Sequence, residues 1–401
     1  MATSFRQPDL FEAVCGAFVS RPEGINTQAL YATVCDRVNA DRSSRTAIGQ
    51  TQGMRSPVER SIRWVQQTLK KLGVIESIPD RRGHWRLTRQ GKEKLTPSSP
   101  GVVTIACSTQ FGLALWGRHE DVFGRLDEPI TLCLTSPPYP LQKARDYGGP
   151  TREQYVDFIC TALEPIVRNL RGGGSIVLNI SNDIFESKSP ARSLYRERLV
   201  IALHERLGLH KMDELIWENP CKPPGPTYWS SINRFHLTAT WEPVLWFTND
   251  PNATLADNRR VLVPHNLAQR SLVLKGGANR SASYGDGAYT LRARSYSADT
   301  SGAIPRNILR FPHNCPDKSR LVAIAKANDL PVHGATMPLG LAEFLVRYLS
   351  DVGDLVVDPF AGWFTTAKAA ENNLRRWIAC EVMGEYASIA GARLAQVGSA
   401  K

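Results

Sequence analysis

Thr135-Ser136-Pro137-Pro138-Tyr139 has the residue types and spacing to grip a planar amine. Ser136 brings a hydroxyl, Pro137 a carbonyl with no competing N–H, and Tyr139 a ring that can stack. The preceding run, Ile130-Thr131-Leu132-Cys133-Leu134, is apolar and β-leaning, and reads as a buried parallel strand. Pro137 and Pro138 end it, because neither can donate to a ladder. In an open α/β sheet, ligands bind outside the carboxyl ends of the strands. The five residues therefore stand where a nucleobase would be held. A plain Pro-Pro turn with a packed tyrosine is the other reading of the same letters.

A second group lies far along the chain. Gly353-Asp354-Leu355-Val356-Val357-Asp358 reads as a strand ending in an acid, Pro359-Phe360-Ala361-Gly362 as a tight turn, and Thr365 to Asn372 as a helix. Glycine at such a turn lets a ligand approach the backbone closely. The next strand, Trp377 to Cys380, ends at Glu381, roughly 20 residues beyond Asp358, the separation at which an acid takes ribose hydroxyls. No Gly-x-Gly-x-x-Gly cradle and no phosphate-loop lysine accompany it. A nucleoside cofactor without a diphosphate fits, and S-adenosylmethionine is the candidate. An ordinary βαβ unit is the alternative.

The elements that must carry these groups follow from the pattern. Strands and helices alternate from Ile130 to Thr248, which predicts an α/β fold with a mainly parallel sheet. Helices are expected over Arg152–Asn169, Leu194–Leu207 and Leu339–Leu349, with a turn at Arg171–Gly174. Residues 1–97 read as a smaller helical unit. Its helices are expected at Asp9–Phe18, Gln28–Val38 (capped by Thr27) and Val58–Leu72 (stopped by Gly73), with a polar loop over 39–56. A hairpin follows, its tip carrying Arg81 and Arg82, and the whole resembles a winged-helix domain. Such a unit contacts DNA or docks a partner. A Pro-Ser linker then leads to residues 98–248 and the strand of the first motif.

Residues 249–332 lack long periodicity and are rich in cations, among them Arg270, Lys275, Arg280, Arg292, Arg294 and Arg306, interleaved with Tyr284, Tyr289 and Tyr296. This segment is expected to be a basic, loop-rich insert that contacts phosphates and reads bases. Residues 333–401 form the cofactor half.

The chain has 401 residues and a net charge of +11, which suits a polyanionic partner, most simply double-stranded DNA. The eight cysteines are scattered with no Cys-x-x-Cys pair, so no metal site is expected. The start lacks a signal-peptide core, and no apolar run has the length of a membrane span. A cytoplasmic, nucleoid-associated protein with no membrane partner is the expectation.

Taken together, Thr135–Tyr139, Asp358–Gly362 and Thr365-Thr366 resemble the amino-group DNA methyltransferases. The order, catalytic motif first and cofactor motif last, resembles their circularly permuted β group. Ser-Pro-Pro-Tyr is similar to the cytosine-N4 type within it. Leu141–Gly148, Ser189–Ser193, Gly302–Asn307 and His333–Pro338 are similar to further segments of that type, so the likeness runs over roughly residues 103–395. It implies a Rossmann-like, S-adenosylmethionine-dependent methyltransferase fold. It also implies that Ser136 and the Pro137 carbonyl accept hydrogen bonds from the cytosine amine, that Tyr139 stacks on the flipped base, and that the amine attacks the sulfonium methyl directly, with a proton leaving to Ser136 or water. Thr135, His333, Asp358, Phe360, Ala361, Gly362, Thr365 and Glu381 are implied at the cofactor. A cognate restriction endonuclease is a candidate partner, and adenine N6 is the rival target. An inactive DNA-binding regulator on the same fold is a reading from another class.

The chain departs from that pattern at Trp363-Phe364, where such families carry small residues; two rings there narrow the cofactor loop or cover the adenine. Pro220-Cys221 matches the nucleophile pair of cytosine-C5 enzymes but lacks its supporting partners. Trp217 and Trp241 are expected in the core, with the flank of the base pocket as the other reading.

Overall fold

A computed structural model of the protein describes residues 13–14, 17–18, 20–21, 24–38, 56–71, 75–88, 97–141, 149–298 and 300–394. The expected helix over 9–18, the loop 39–56, the stop at Gly73 and the segment 141–148 lie wholly or largely outside them.

Near the N-terminus, β1 (Ile25–Asn26) leads into the helix Thr27–Arg37. The helix Pro57–Lys71 and the strands β2 (Ile75–Ser77) and β3 (His84–Leu87) follow. Ile62, Val65 and Leu69 recur at helical spacing and are buried, as that amphipathic pattern requires. The strands pair antiparallel in the order β1-β3-β2, so the expected hairpin gains a third strand. The cap of the first helix is Asn26, whose Oδ1 accepts from Ala29 N at 2.7 Å, and not Thr27. Thr27 instead donates through Oγ1 to Gly83 O at 2.9 Å, tying the helix start to the hairpin turn.

The main sheet is built from β4 (Thr104–Ser108), β5 (Gly112–Trp116), β6 (Ile130–Thr135), β7 (Leu170–Asn179), β8 (His210–Glu218) and β9 (Trp241–Thr248). After the strands β10 (Ala282–Tyr284) and β11 (Tyr289–Leu291), which stand apart, β12 (Ile308–Arg310), β13 (Leu355–Asp358) and β14 (Arg376–Glu381) complete it. Its order is β12-β8-β9-β7-β6-β13-β14-β5-β4. Five neighbouring pairs are parallel and three antiparallel, a mixed and mostly parallel sheet. β6 and β13 are mostly apolar and buried at every position, the signature of central strands covered on both faces. The helix Tyr155–Arg168 covers one face with Tyr155, Ile159, Leu163 and Ile166. β6 pairs in parallel with β13, Leu132 opposite Val356 and Cys133 opposite Val357. The two motif-bearing tips therefore emerge side by side from neighbouring strands.

Three local expectations change. Arg171–Gly174 falls within β7, as a bulge between the paired Leu170 and Ser175. Gly173, at φ +77°, is needed there because a Cβ would come within 1.7 Å of Ala253 O. The β4–β5 hairpin, which caps the sheet edge, was not anticipated. Residues 256–307 form a separate compact unit, narrower than the expected 249–332. Ile308–Arg310 pairs with β8, and the helix Pro316–Ala327 buries Leu321 and Ala325 in the main unit. Within the compact unit, Asn266 caps the helix Leu267–Leu274, β10 pairs with β11, and Val263 bridges Ala303.

Candidate active site

The end of β6 and the end of β13 are tied by a buried hydrogen bond. Thr135 Oγ1 donates to Asp358 Oδ1 at 2.6 Å. The same Oδ1 accepts from Phe360 N at 3.0 Å, which folds the turn back over the strand tip. Thr366 Oγ1 donates to Leu134 O at 3.0 Å and fixes the following helix, Thr365–Asn372, against β6. Thr135 thus acts behind the site, as the tether between its halves.

One cavity of about 860 Å³ receives both motifs. Ser136, Pro137, Pro138 and Tyr139 line it together with His333, Phe360, Gly362 and Glu381. Asp358, Ala361 and Thr365 line a small recess that also reaches Ser136, Phe360 and Gly362. The volume suits a small-molecule site.

Proton order at the tip is set from behind. Tyr139 donates through its hydroxyl to Glu242 Oε2 at 3.1 Å. Its oxygen lies 3.3 Å from Ser136 Oγ, so with the tyrosine proton committed to Glu242, Ser136 is the donor of that bond. The lone pairs of Ser136 are left for an incoming N–H. Burial, reinforced by the Glu242 carboxylate, holds the Tyr139 phenol well above its ordinary value, so it stays protonated. Lys222 Nζ sits 3.3 Å from Glu242 Oε1 and 2.9 Å from Asp183 Oδ2, and Arg192 reaches Asp183 at 3.0 Å. Sequence reasoning missed Glu242, Lys222 and Asp183. The available signal was Glu242 itself, an acid at the start of the otherwise apolar β9. Because β9 runs antiparallel to β7, that start lies at the edge where β6 and β7 end.

The acid crevice is equally ordered. Glu381 Oε2 accepts from Gly362 N at 2.7 Å and Oε1 from Met383 N at 2.8 Å. Two of the roughly four lone-pair sites of that carboxylate are thereby filled, and the rest suit a cis-diol. Burial raises the acid to about 7, against the pull of those N–H bonds. Burial likewise raises Asp358 to about 6. His333 Nδ1 accepts from Ala335 N at 3.3 Å, and its ring lies 4.6 Å from that of Tyr386. Gly362, at φ +52°, brings its backbone close enough that a Cβ would stand 3.0 Å from His333 Nε2. The residues present therefore fit a nucleoside-bearing group: a diol acceptor, a glycine approach and a ring-lined wall.

Neither Trp363 nor Phe364 lines the cavity of about 860 Å³, while Trp363 borders the small recess beside Asp358. Trp363 is 1% exposed and packs with Leu321, Met383, Tyr386 and Ile389, while Phe364 is fully buried. The buried Arg393 guanidinium donates to Trp363 O at 2.6 Å and pairs with Asp317 at 2.6 Å. Trp217 is buried, and its Nε1 donates to Phe311 O at 2.8 Å. Cys221 is exposed.

The expected DNA contacts lie elsewhere in the chain. Arg81 and Arg82 are exposed in the β2–β3 turn. Arg270, Lys275, Arg280, Arg292, Arg294 and Arg306 are all exposed on the unit 256–307. Among the described residues no group of three or more His, Cys, Asp or Glu could hold a metal ion, and no helix is long and apolar enough to cross a membrane.

Comparison with known proteins gives the same reading. The DNA methylase family of the N6/N4 methyltransferase type matches residues 130–392. The type II methyltransferase M.PvuII of Proteus hauseri is 30% identical over 275 residues, 67% of this chain and 78% of the relative. The orphan methyltransferase M.BamHII of Bacillus amyloliquefaciens is 30% identical over 271 residues, 67% of this chain and 89% of the relative. Among solved structures, the PvuII DNA methyltransferase described as cytosine-N4-specific aligns with a TM-score of 0.57 at 26% identity, over 73% of this chain and 89% of that one. Motifs, sheet and cavity agree with these likenesses, and the chain belongs to the N6/N4 family of DNA methylases.

Proposed function

We propose that this DNA methyltransferase modifies the exocyclic N4 of a cytosine turned out of duplex DNA, for restriction–modification or epigenetic marking. The observation that carries the reading is Ser136, a neutral hydroxyl whose proton is committed inward, at the position that meets the amine. The cytosine amine is a poor nucleophile because its lone pair is delocalised into the ring. Ser136 Oγ and the Pro137 carbonyl accept its two N–H bonds and draw the nitrogen towards tetrahedral geometry. Tyr139 stacks on the base, and the Ser136–Tyr139–Glu242 order keeps the acceptor lone pairs aimed at it.

S-adenosylmethionine supplies an electrophilic methyl group to such an enzyme. Glu381 takes the ribose hydroxyls and Asp358 the methionine portion, while Phe360, Ala361, Gly362, Thr365 and His333 shape the pocket. Alignment of the two reactants supplies much of the rate gain. The arrangement of catalytic half before cofactor half is that of the circularly permuted group. The exposed cations of the 256–307 unit contact phosphates, and Arg81 and Arg82 on the winged-helix-like hairpin add further contacts. A cognate restriction endonuclease is the partner that a restriction–modification role adds.

Sequencing host DNA by a method that distinguishes modified cytosines tests the reading. Modified cytosine in one sequence context, lost on deletion of the gene and not restored by Ser136→Ala, is the expected result. Modified adenine in its place, lost on the same deletion, moves the target to N6. No change in any base removes the reading.

A further inference from the structure

Between β8 and β9 the chain makes an excursion over residues 219–240 that no motif accounts for. Its side chains break the usual rule for a loop. Tyr228 is 58% exposed, Ile232 65%, Phe235 69% and Leu237 90%. Scattered apolar residues on a surface are ordinary, but four within ten positions of one loop are a patch.

The loop is built to hold them out. Asn219 N donates to Thr240 O at 2.8 Å and closes its base. Ala239 N reaches Gly225 O at 2.8 Å, and Ser230 N reaches Pro226 O at 2.8 Å. Phe235 N and His236 N both donate to Trp229 O, at 2.8 and 3.2 Å. The Trp229 and Phe235 rings stack with an interplanar angle of 20°. His236 Nε2 contacts Pro190 O at 2.7 Å, which pins the excursion to the loop after β7. Such bonding fixes the patch before any partner arrives, and preorganisation lowers the cost of binding.

Its place and charge narrow the partner. The excursion leaves from the end of β8 and returns at the start of β9, the edge that carries Ser136. Lys222, within it, is the residue that pairs with Glu242 behind Tyr139. Residues 219–240 contain Lys222, Arg234 and His236 and no acid, which suits a polyanion better than an average protein surface. Duplex DNA offers such a patch a specific vacancy. Turning one base out of the stack leaves a gap bounded by two flat base faces. Phe, Leu and Ile are the side chains proteins insert between base steps.

We infer that the loop 219–240 is a wedge that enters duplex DNA beside the target and fills the gap the displaced base leaves, with Phe235 and Leu237 at its tip. The inference rests on the proposed flipping of a base from duplex DNA. It assigns the replacement of lost stacking to this loop.

The test uses the full-length protein and the site that sequencing of methylated DNA reveals, prepared as two duplexes. One has the target cytosine paired; the other sets it opposite an abasic position, where opening costs less. Phe235→Ala and Leu237→Ala remove exposed groups, and an unchanged melting temperature confirms folding. Each is expected to lower kcat/KM on the paired duplex at least about tenfold and on the abasic duplex less than about threefold. Equal losses on both duplexes, or no loss on the paired one, overturn the wedge. Unaltered paired turnover with a smaller assembly in sedimentation overturns it in favour of a contact between copies of the chain. Wild-type protein inactive on both duplexes removes the proposed function, and the wedge with it.

Discussion

Tyr139 donates its hydroxyl proton to Glu242 at 3.1 Å, across 103 residues of sequence. That bond decides the direction of the next one. Ser136 must donate to Tyr139, and its acceptor face is left to the substrate amine. On the proposed reading, the ring of Tyr139 and its hydroxyl therefore do separate jobs, stacking and orientation.

Tyr139→Phe separates them. The ring remains, and one neutral hydrogen bond worth about 1 kcal/mol is lost. We expect kcat to fall about fivefold with KM for DNA unchanged. Tyr139→Ala also loses the stack, worth about 1–3 kcal/mol, and should cost about a hundredfold. Ser136→Ala should abolish transfer while leaving DNA affinity intact. Steady-state kinetics and a gel-shift assay check the set; full turnover in both Tyr139→Ala and Ser136→Ala would remove the tip from catalysis.

Asp358 presents a stability cost that the site tolerates. Its folded-state value is raised to about 6, so above that pH the native protein holds a buried charge that the unfolded chain keeps in water. In strong acid both states carry the proton and the cost is absent. Asp358→Asn keeps an oxygen for Thr135 Oγ1 and Phe360 N, both of which bond the same Oδ1. Denaturation at pH 8 should show a gain of about 2 kcal/mol that shrinks below about pH 6 and vanishes below about pH 3. Calorimetry should show donor affinity falling at least about tenfold, if the methionine portion is held by the Asp358 carboxylate as proposed.

The diol role proposed for Glu381 predicts that donor binding depends on pH. The acid is raised to about 7 in the free protein, whereas hydroxyl donors favour the ionised form. Binding should therefore release a proton below that pH, and the dissociation constant should rise about tenfold between pH 8 and pH 6. Glu381→Ala should weaken binding and flatten the dependence. A titration that is flat in the native protein would take the diol role away from Glu381.

Trp363 is core, and its removal should register as stability alone. Trp363→Leu leaves a partial void among Leu321, Met383, Tyr386 and Ile389, at a cost of about 2 kcal/mol. Donor affinity of the folded protein should stay within about twofold. A large loss of affinity with little loss of stability would return the ring to the pocket.

Much of the site was legible because short-range rules govern it. Proline stops a strand, an apolar run marks a central one, and glycine marks close approach; these placed Ser136–Tyr139 and Asp358–Gly362 at strand tips. The helix Thr365–Asn372 carries the bounds expected of it. What escaped depends on tertiary pairing. Glu242 shows its purpose only when β9 returns antiparallel beside β7. Arg171–Gly174 spells a turn locally, and the four residues bulge out of the ladder between the paired Leu170 and Ser175, so the strand resumes where a turn would have ended it. Trp363-Phe364 suggested an obstructed loop because sequence gives no direction for a side chain, and a left-handed Phe364 at φ +57° belongs to a turn that sends both rings inward. The helix Pro316–Ala327 was lost in a cation-rich stretch because only Leu321 and Ala325 are buried.

The target atom is the central claim, and the nucleoside product reports it directly. Unmethylated bacterial duplex DNA is incubated with the purified protein and donor labelled in its methyl group, digested to nucleosides, and separated by mass. Label in N4-methyldeoxycytidine is the predicted result. Label in N6-methyldeoxyadenosine or 5-methyldeoxycytidine, or label in no nucleoside at all, would contradict it.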